Sequence, residues 1–600
     1  MTRDFQLVIV RMNPQARGSL AAGMRADDIA RTIWLRPVDL QQLGLQPGDL
    51  ATICIAGEPE SVGAVSSRQV TAVVAVAPGD TLSTGTVLMA AGSLSAALLP
   101  GDTHACGTPT SKGLWVEITP AKPAHSDAAG EVAFTAASVV EGMPSATGDL
   151  TRTIEDAVCT ACGCICDDIQ LVVAPQTIRQ ANNACEIGRE WFLNESSRQV
   201  AAAARDPANC WVDSRPVSVV EALERAADIL LSARNPLIYG LSETTCEAQR
   251  AAVELADVLR ANLDTTTSTF HGPTVMGLQA VGESTCTLGE IRDRADLVML
   301  WGVNPLETDP RHYSRYSLLP AGRFVPRGRA DRFCVSVDVR HTPTAEYADL
   351  PLRIKPASDF EALWTLRALA AGLSPDARSV EAATDVTLVQ WREVFERMRT
   401  ARYGVILYGT GVTQTRGHHL NCEALLTLVS EMNQYTRFAC KAMRGAGNVT
   451  GGDNVLTWRT GYPFGVNFSR GYPRYNPGEY TAADLLARGE VDAALIVATD
   501  PAPLFGRAAL DHLASIPTVV IDPRPTPARN TARVAFATAP FGLQTGGTVY
   551  RMDEIPLTLR PALAPSRPSE QKILEQLTAA IVARSASPAA GVSSNLRGGQ

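Results

Sequence analysis

The chain has no basic excess: 54 Lys and Arg stand against 62 Asp and Glu, leaving a formal charge of -8. No broad cationic face is left to neutralise a phosphate backbone, which argues against nucleic acid as a partner. Histidine is scarce at eight residues, too few for a histidine-rich metal cluster. No uninterrupted apolar run approaches the roughly 18 residues that a membrane helix needs, so no membrane span is expected. Charged residues follow Met1 where an export leader would have an apolar core, so the expected location is cytoplasmic. Phrases of the types G-x-x-x-x-G-K-[ST], H-E-x-x-H and G-x-S-x-G are missing from any supporting context. Independent nucleotide hydrolysis, zinc proteolysis and serine esterase chemistry therefore lack a basis.

What is present is ordinary globular material. At 600 residues the chain is long enough for roughly four domains. Residues 1–120 carry short β-rich runs, Phe5 to Val10, Leu50 to Ile55 and Val70 to Val76, broken by turn signals, and predict a small β-barrel. Residues 121–150 are rich in Ala, Ser, Gly and Pro without a period and read as a linker. A Cys-rich segment follows at 151–200, and an α/β body at 201–562. The end, 563–600, reads as a helix and a small, polar tail. In the body, strand-like runs alternate with helical segments: Pro236 to Tyr239, Ala295 to Trp301, Phe333 to Val339, Tyr403 to Tyr408, Ala493 to Ala498 and Val519 to Ile521. That alternation predicts doubly wound, Rossmann-like parallel sheets. Ligands of such sheets lie at the carboxyl ends of the strands. Gly302, Asn304, Asp338, Arg340, Gly409, Gly411, Asp500 and Asp522 are therefore the candidates for holding a phosphate-bearing cofactor.

Five of the thirteen cysteines crowd between positions 159 and 185, which favours metal ligation over disulfides. Cys159, Cys162, Cys166 and Cys185 form C-x2-C-x3-C plus a distant fourth thiolate. Three thiolates on one tight loop and a fourth from elsewhere suit a 4Fe-4S cubane. Zinc is the rival reading, although its four-thiolate sites usually pair two short spacings. Cys164 is out of phase with the triplet and reads as a spare thiol.

That cysteine pattern and the phrases CGCICDDI, NNACEIG, HGPTVMGLQAVG, TLGEIRDRADLVMLWGVNP, DPRHYSRY, VDVRHTPTAEYADL, MRGAGNVTG, TGYPFGVNFSRGYPRYNPGE and GTVYRMDEIP resemble the B subunit of formylmethanofuran dehydrogenase. That protein belongs to the molybdopterin/tungstopterin oxidoreductase superfamily. The phrases RPVDLQQLGLQPGD and TLSTGTVLMAAGS in residues 1–120 resemble the D subunit of the same enzyme, with a double-psi-like barrel that binds the pterin dinucleotide. The resemblance implies a fused D-B polypeptide in tetrahydromethanopterin-linked one-carbon metabolism. It also implies a 4Fe-4S cluster and a molybdopterin or tungstopterin guanine dinucleotide. The implied partners are the A and C subunits and a formyltransferase, with the formyl carrier reached through them.

At one position the pattern breaks. Where redox-active members carry the metal-ligating Cys or selenocysteine, just before His-Gly-Pro, this chain has Phe270. A phenyl ring has no lone pair for a metal. His271 and Arg444 match the family's active-site histidine and arginine; the competing readings are a hydrogen-bonded structural imidazole and an arginine binding a carboxylate or a pterin phosphate. Phe270 favours the non-redox formyltransferase/hydrolase type, which releases formate from a formyl carrier. The alternatives are an active tungsten or molybdenum protein interconverting carbon dioxide and formate, and a pterin-binding scaffold. Ser268, Thr269 and Phe270 are expected on a strand, and the Phe270 ring is expected to fill the cavity beside His271 and Arg444.

Overall fold

The computed structural model describes residues 151–205 and 208–586, together with the backbone of six strands before residue 121. The chain divides into two compact units, Met1–Pro144 and Ser145–Gln600. In the first, the strands run across one sheet in the order Asp4–Leu7, Leu114–Pro120, Leu50–Ile55, Arg68–Val76, Thr32–Leu35 and Leu88–Met89. All neighbours are antiparallel except Thr32–Leu35 with Arg68–Val76. Among the described residues the two outermost strands do not pair with each other, so the closure of a barrel is not seen. The expected turn phrase at 36–49, the linker at 121–150 and the tail at 587–600 lie outside the described residues.

The second unit opens with an antiparallel sheet of three strands, Arg152–Ala157, Ile169–Ala174 and Thr177–Asn182. The cysteine loop runs between the first two of these, and Cys185 precedes the helix Glu186–Arg205.

Two larger sheets follow, and each has a parallel core. One contains five strands, all parallel, in the order Leu350–Arg353, Phe333–Asp338, Leu297–Trp301, Tyr403–Tyr408, Arg437–Ala442. By chain position that order is 3-2-1-4-5, so the winding reverses between Leu297–Trp301 and Tyr403–Tyr408. The other contains nine strands. Its parallel core is Val534–Phe536, Thr518–Ile521, Ala493–Val497, Pro236–Gly240 and Asn262–Thr265, with a short antiparallel pair added at each edge. Here the winding reverses between Pro236–Gly240 and Ala493–Val497. The central strands are unbroken apolar runs because helices cover both faces, so every residue of Leu297–Trp301 and Ala493–Val497 is buried.

The cores are dense. Trp301 and Trp391 stack with ring centroids 6.2 Å apart, and the Trp301 indole donates to the Asp359 carboxylate at 2.9 Å. The helix Glu570–Ala586, expected as a separate C-terminal element, packs Ile573, Leu574, Leu577 and Ile581 into the core of the nine-stranded sheet and is part of the body.

Candidate functional site

Both points where the winding reverses are marked by glycines in close contact. Gly302 has φ +59, and a Cβ there would lie 2.8 Å from the Gly411 Cα. A Cβ on Gly411 would in turn sit 2.5 Å from the Gly302 Cα. Only glycine lets the two strand-to-helix turns approach so closely, and in sheets of this kind the reversal point is where ligands bind. The Gly411 amide donates to the Gly302 carbonyl at 3.1 Å. Gly409 packs against Val303 in the same place. Buried Asn304 accepts from Thr344, leaving its side-chain NH2 without a partner. Asp338 accepts from the Arg340 amide at 3.1 Å, while the Arg340 side chain is exposed near Glu307. In the nine-stranded sheet, Gly240 at φ +119 plays the same part against the Val497 carbonyl. Asp500 accepts from Ala502. Asp522 is fully buried beside Arg524, which also pairs with Glu243 at 2.5 Å, and one Asp522 oxygen has no partner. The structure thus gathers Gly302, Asn304, Gly409 and Gly411 at one reversal point, with Asp338 at the neighbouring strand end. Asp500 and Asp522 lie at the strand ends of the other sheet. The unpartnered polar atoms and the glycine cradles suit the phosphate and sugar groups of a dinucleotide.

The segment Thr265 to His271 forms a helical turn, Thr267–Phe270, where a strand was expected. The cause lies one residue upstream. Fully buried Asp264 accepts from the Thr265 amide at 2.9 Å and the Ser268 hydroxyl at 2.7 Å, curling the chain, and from the Gly465 and Ala482 amides at 2.9 and 2.7 Å. Such a local side-chain acceptor overrides the strand preference of a Thr-rich run. The Phe270 carbonyl accepts from Thr413 at 2.7 Å and Gln414 at 3.2 Å. The residue is 37% exposed, so its side chain does not fill a closed cavity as expected.

His271 is buried, with Nδ1 3.3 Å from the Thr274 hydroxyl. Burial, and then the charge of Arg444, push its pKa down to about 3, so the imidazole is neutral. Arg444 donates to the Thr267 hydroxyl at 3.0 Å and pairs with Asp453. The Thr267 hydroxyl donates to the same carboxylate at 2.6 Å. Burial pushes Asp453 up to about 6, with Arg444 opposing. Arg444 Nε is buried without a partner. Asp264, Thr267 and Asp453 escaped the sequence reading because no phrase of their own marks them.

The cysteine loop packs directly on this group. A Cβ at Gly163 would lie 2.3 Å from the Arg444 carbonyl, and the Gly447 amide donates to the Thr160 carbonyl at 3.2 Å. The Cys159 amide donates to the Cys166 carbonyl at 2.8 Å, closing the loop. A Cβ on Gly188 would sit 3.0 Å from the Cys159 sulfur and 3.8 Å from the Cys185 sulfur, so those two thiols share one cradle. Burial, and then the charges of Cys162, Cys166 and Cys185, raise the Cys159 pKa. Four thiols, three on one tight loop and one arriving at the Gly188 cradle, are a donor set of the kind a 4Fe-4S cluster takes. The Phe270 position, lacking a donor atom, does not fit a tungsten or molybdenum ligand. Three salt bridges tie the loop down, one of them Arg315 to Asp168 at 3.2 Å. Arg311 donates to both oxygens of Asp168 at 2.5 and 2.7 Å, and Arg315 donates to Asp167 at 2.7 Å.

None of the known protein-family profiles matches the chain. It is, however, 42% identical over 418 residues to the B subunit of the tungsten-containing formylmethanofuran dehydrogenase 2 of Methanocaldococcus jannaschii, covering 69% of this chain and 95% of that protein. The chain belongs to the family of formylmethanofuran dehydrogenase B subunits. The B subunit of the formyltransferase/hydrolase complex Fhc from Methylorubrum extorquens is 30% identical over 308 residues, 49% of this chain and 75% of that one. A chain of the solved FhcABCD complex from the same organism, crystallised with methylofuran, superposes with a TM-score of 0.52 at 26% identity, covering 63% of this chain and all of that one. Acetylene hydratase from Pelobacter acetylenicus shares the fold alone, with a TM-score of 0.54 at 12% identity over 72% of this chain and 69% of that one. Among the described residues no helix is long and apolar enough to cross a membrane.

Proposed function

We propose that this family member is the B component of a cytoplasmic assembly of the formyltransferase/hydrolase type, which takes a formyl group from its carrier and releases formate without net redox chemistry. The observation that carries this reading is Phe270. It stands where the redox-active relatives place a metal-binding side chain, and it offers a metal nothing. Neutral His271 and the Arg444–Asp453 pair then serve to order the turns around the strand ends rather than to handle protons beside a metal. Partners corresponding to the A and C subunits and a formyltransferase supply the hydrolytic and transfer chemistry. The first unit serves as the D-like part, and the glycine cradles at 302, 409 and 411 hold what remains of a dinucleotide site. Cys159, Cys162, Cys166 and Cys185 hold a 4Fe-4S cluster, which supplies one-electron transfer when bound.

A second reading, an active tungsten or molybdenum protein interconverting carbon dioxide and formate, is favoured by the intact thiolate set and by the higher identity to the tungsten enzymes, 42% against 30%. Elemental analysis of the purified complex separates the two. The first expects iron near four per chain, no stoichiometric tungsten or molybdenum, and no formate-dependent reduction of viologen dyes. Either metal in stoichiometric amount together with dye reduction would install the second.

A further inference from the structure

Cys164 reads in the sequence as a spare thiol, yet the structure gives it specific neighbours. Its side chain is fully buried. The donor atoms of Cys162, Cys164 and Asp309 all lie within 4.8 Å of one another. The turn that brings them together is tight: the Ile165 amide donates to the Cys162 carbonyl at 3.2 Å, and Ile165 has φ +38, a region that β-branched residues avoid. Cys159 and Cys185, by contrast, meet at Gly188, and Cys166 faces the charges of Arg311 and Arg315. Cys162 is thus common to the Cys162–Cys164–Asp309 group and to the C-x2-C-x3-C set.

Asp309 is only 7% exposed and its carboxylate accepts from Thr308 at 2.8 Å. Among the described residues no Lys, Arg or His forms an ion pair with it. A buried carboxylate against two thiols, with no cationic side chain to balance it, is costly unless protons or a cation fill the space between them. Two thiolates favour a thiophilic ion, and the carboxylate adds the charge that suits a divalent cation over monovalent copper. Three protein donors leave a fourth tetrahedral position for water.

We propose that Cys162, Cys164 and Asp309 form a mononuclear site for a thiophilic divalent cation of the zinc class. Because Cys162 is shared, this site and the four-iron cluster exclude each other. The loop then has two metal-bound states, and the iron and zinc supply decides between them.

The test uses the full-length protein, anaerobic and reduced, freed of iron with a chelator and titrated with Co²⁺ alone. One Co²⁺ per chain should bind, with a thiolate-to-cobalt charge-transfer band. Cys164→Ser should lower that band to roughly half, since one of two thiolates is lost, and weaken binding at least about tenfold. Asp309→Asn should weaken binding by a similar factor while leaving the band strength in place. Cys166→Ser and Cys185→Ser should leave both unchanged. The iron content of the untreated protein is measured in parallel: Cys166→Ser should lose iron and Cys164→Ser should keep it. If Co²⁺ binding survives Cys164→Ser intact, or falls equally in Cys166→Ser, the mononuclear site is overturned, whatever the iron content. If the cobalt pattern holds while the untreated wild-type protein carries no iron, the site stands and the cluster assignment alone falls.

Discussion

His271 lies against Arg444 with almost no solvent contact, and its folded pKa of about 3 is well below the ordinary 6.5. A group depressed on folding stabilises the fold above its unfolded pKa, and that contribution is lost as pH falls through the folded one. The unfolding free energy should therefore drop between pH 6.5 and 3, and His271→Asn should flatten this drop in chemical denaturation. An unchanged slope in the variant would mean the imidazole is free to protonate in place. Asp453 works in the opposite sense: with its pKa raised to about 6, its contribution is full below 3.8 and is lost as pH rises through 6. Removing its charge by Asp453→Asn should also strand the Arg444 guanidinium. We expect a loss of about 3 kcal/mol at neutral pH, the size associated with breaking a largely buried pair. At Phe270 the expected outcome is a negative one. Phe270→Cys returns a thiol, but Thr413 and Gln414 still hold the turn by its backbone, so elemental analysis should find no tungsten or molybdenum gained.

Among the elements, the cysteine loop depends most on a distant partner. Asp167 and Asp168 directly follow Cys166, and they are held by Arg311 and Arg315, which flank the start of the wide π turn His312–Ser317 and lie in its middle. Burial works against ionisation of Asp168, but the Arg311 hydrogen bonds and the nearby charges keep its carboxyl below the usual range. The Arg311 fork is two-pronged and the Arg311 side chain only 13% exposed, so Arg311→Ala should cost about 1.5–3 kcal/mol. Hydrogen exchange should quicken at amides 159–168, and iron retention should fall. Loop protection equal to wild type would show that the backbone bonds at Cys159 and Gly447 suffice.

The same element shows what a sequence can carry. The phrases CDDI and DPRHYSRY are both visible as words, but nothing local says that they touch, because Arg311 and Asp168 are 143 residues apart. Thr267 and Asp453 meet across 186 residues. Six of the ten strands of the parallel cores were legible, because burial on both faces leaves unbroken apolar runs followed by glycines and acids. Asn262–Thr265, Leu350–Arg353 and Arg437–Ala442 carry polar or charged residues, and Val534–Phe536 is too short, so those four were not. The turn before His271 was not, since its Thr-rich composition favours a strand and only the Asp264 side chain reverses that preference.

At the scale of the whole second unit, the five-stranded sheet, Leu297 to Ala442, is inserted into the chain that builds the nine-stranded one. An insertion can unfold alone if few buried bonds cross its boundary. Here many do. The Cys440 amide donates to the Ser284 carbonyl at 2.8 Å, and the Ser284 hydroxyl donates to the Phe438 carbonyl at 2.9 Å. The Thr413 hydroxyl donates to the Phe270 carbonyl at 2.7 Å, and Val298, Leu300, Val405 and Leu407 share one apolar cluster with Cys159, Cys164 and Cys166. Trp391→Ala, deep in the other face of the five-stranded sheet, should cost about 3–5 kcal/mol. If the crossing bonds couple the two cores, native-state hydrogen exchange should show that loss shared by the strands Ala493–Val497 and Thr518–Ile521 and by the cysteine loop, as one cooperative unit. Faster exchange confined to 297–442 would instead mark the inserted sheet as a separately unfolding body, with the cysteine loop anchored to it only on one side.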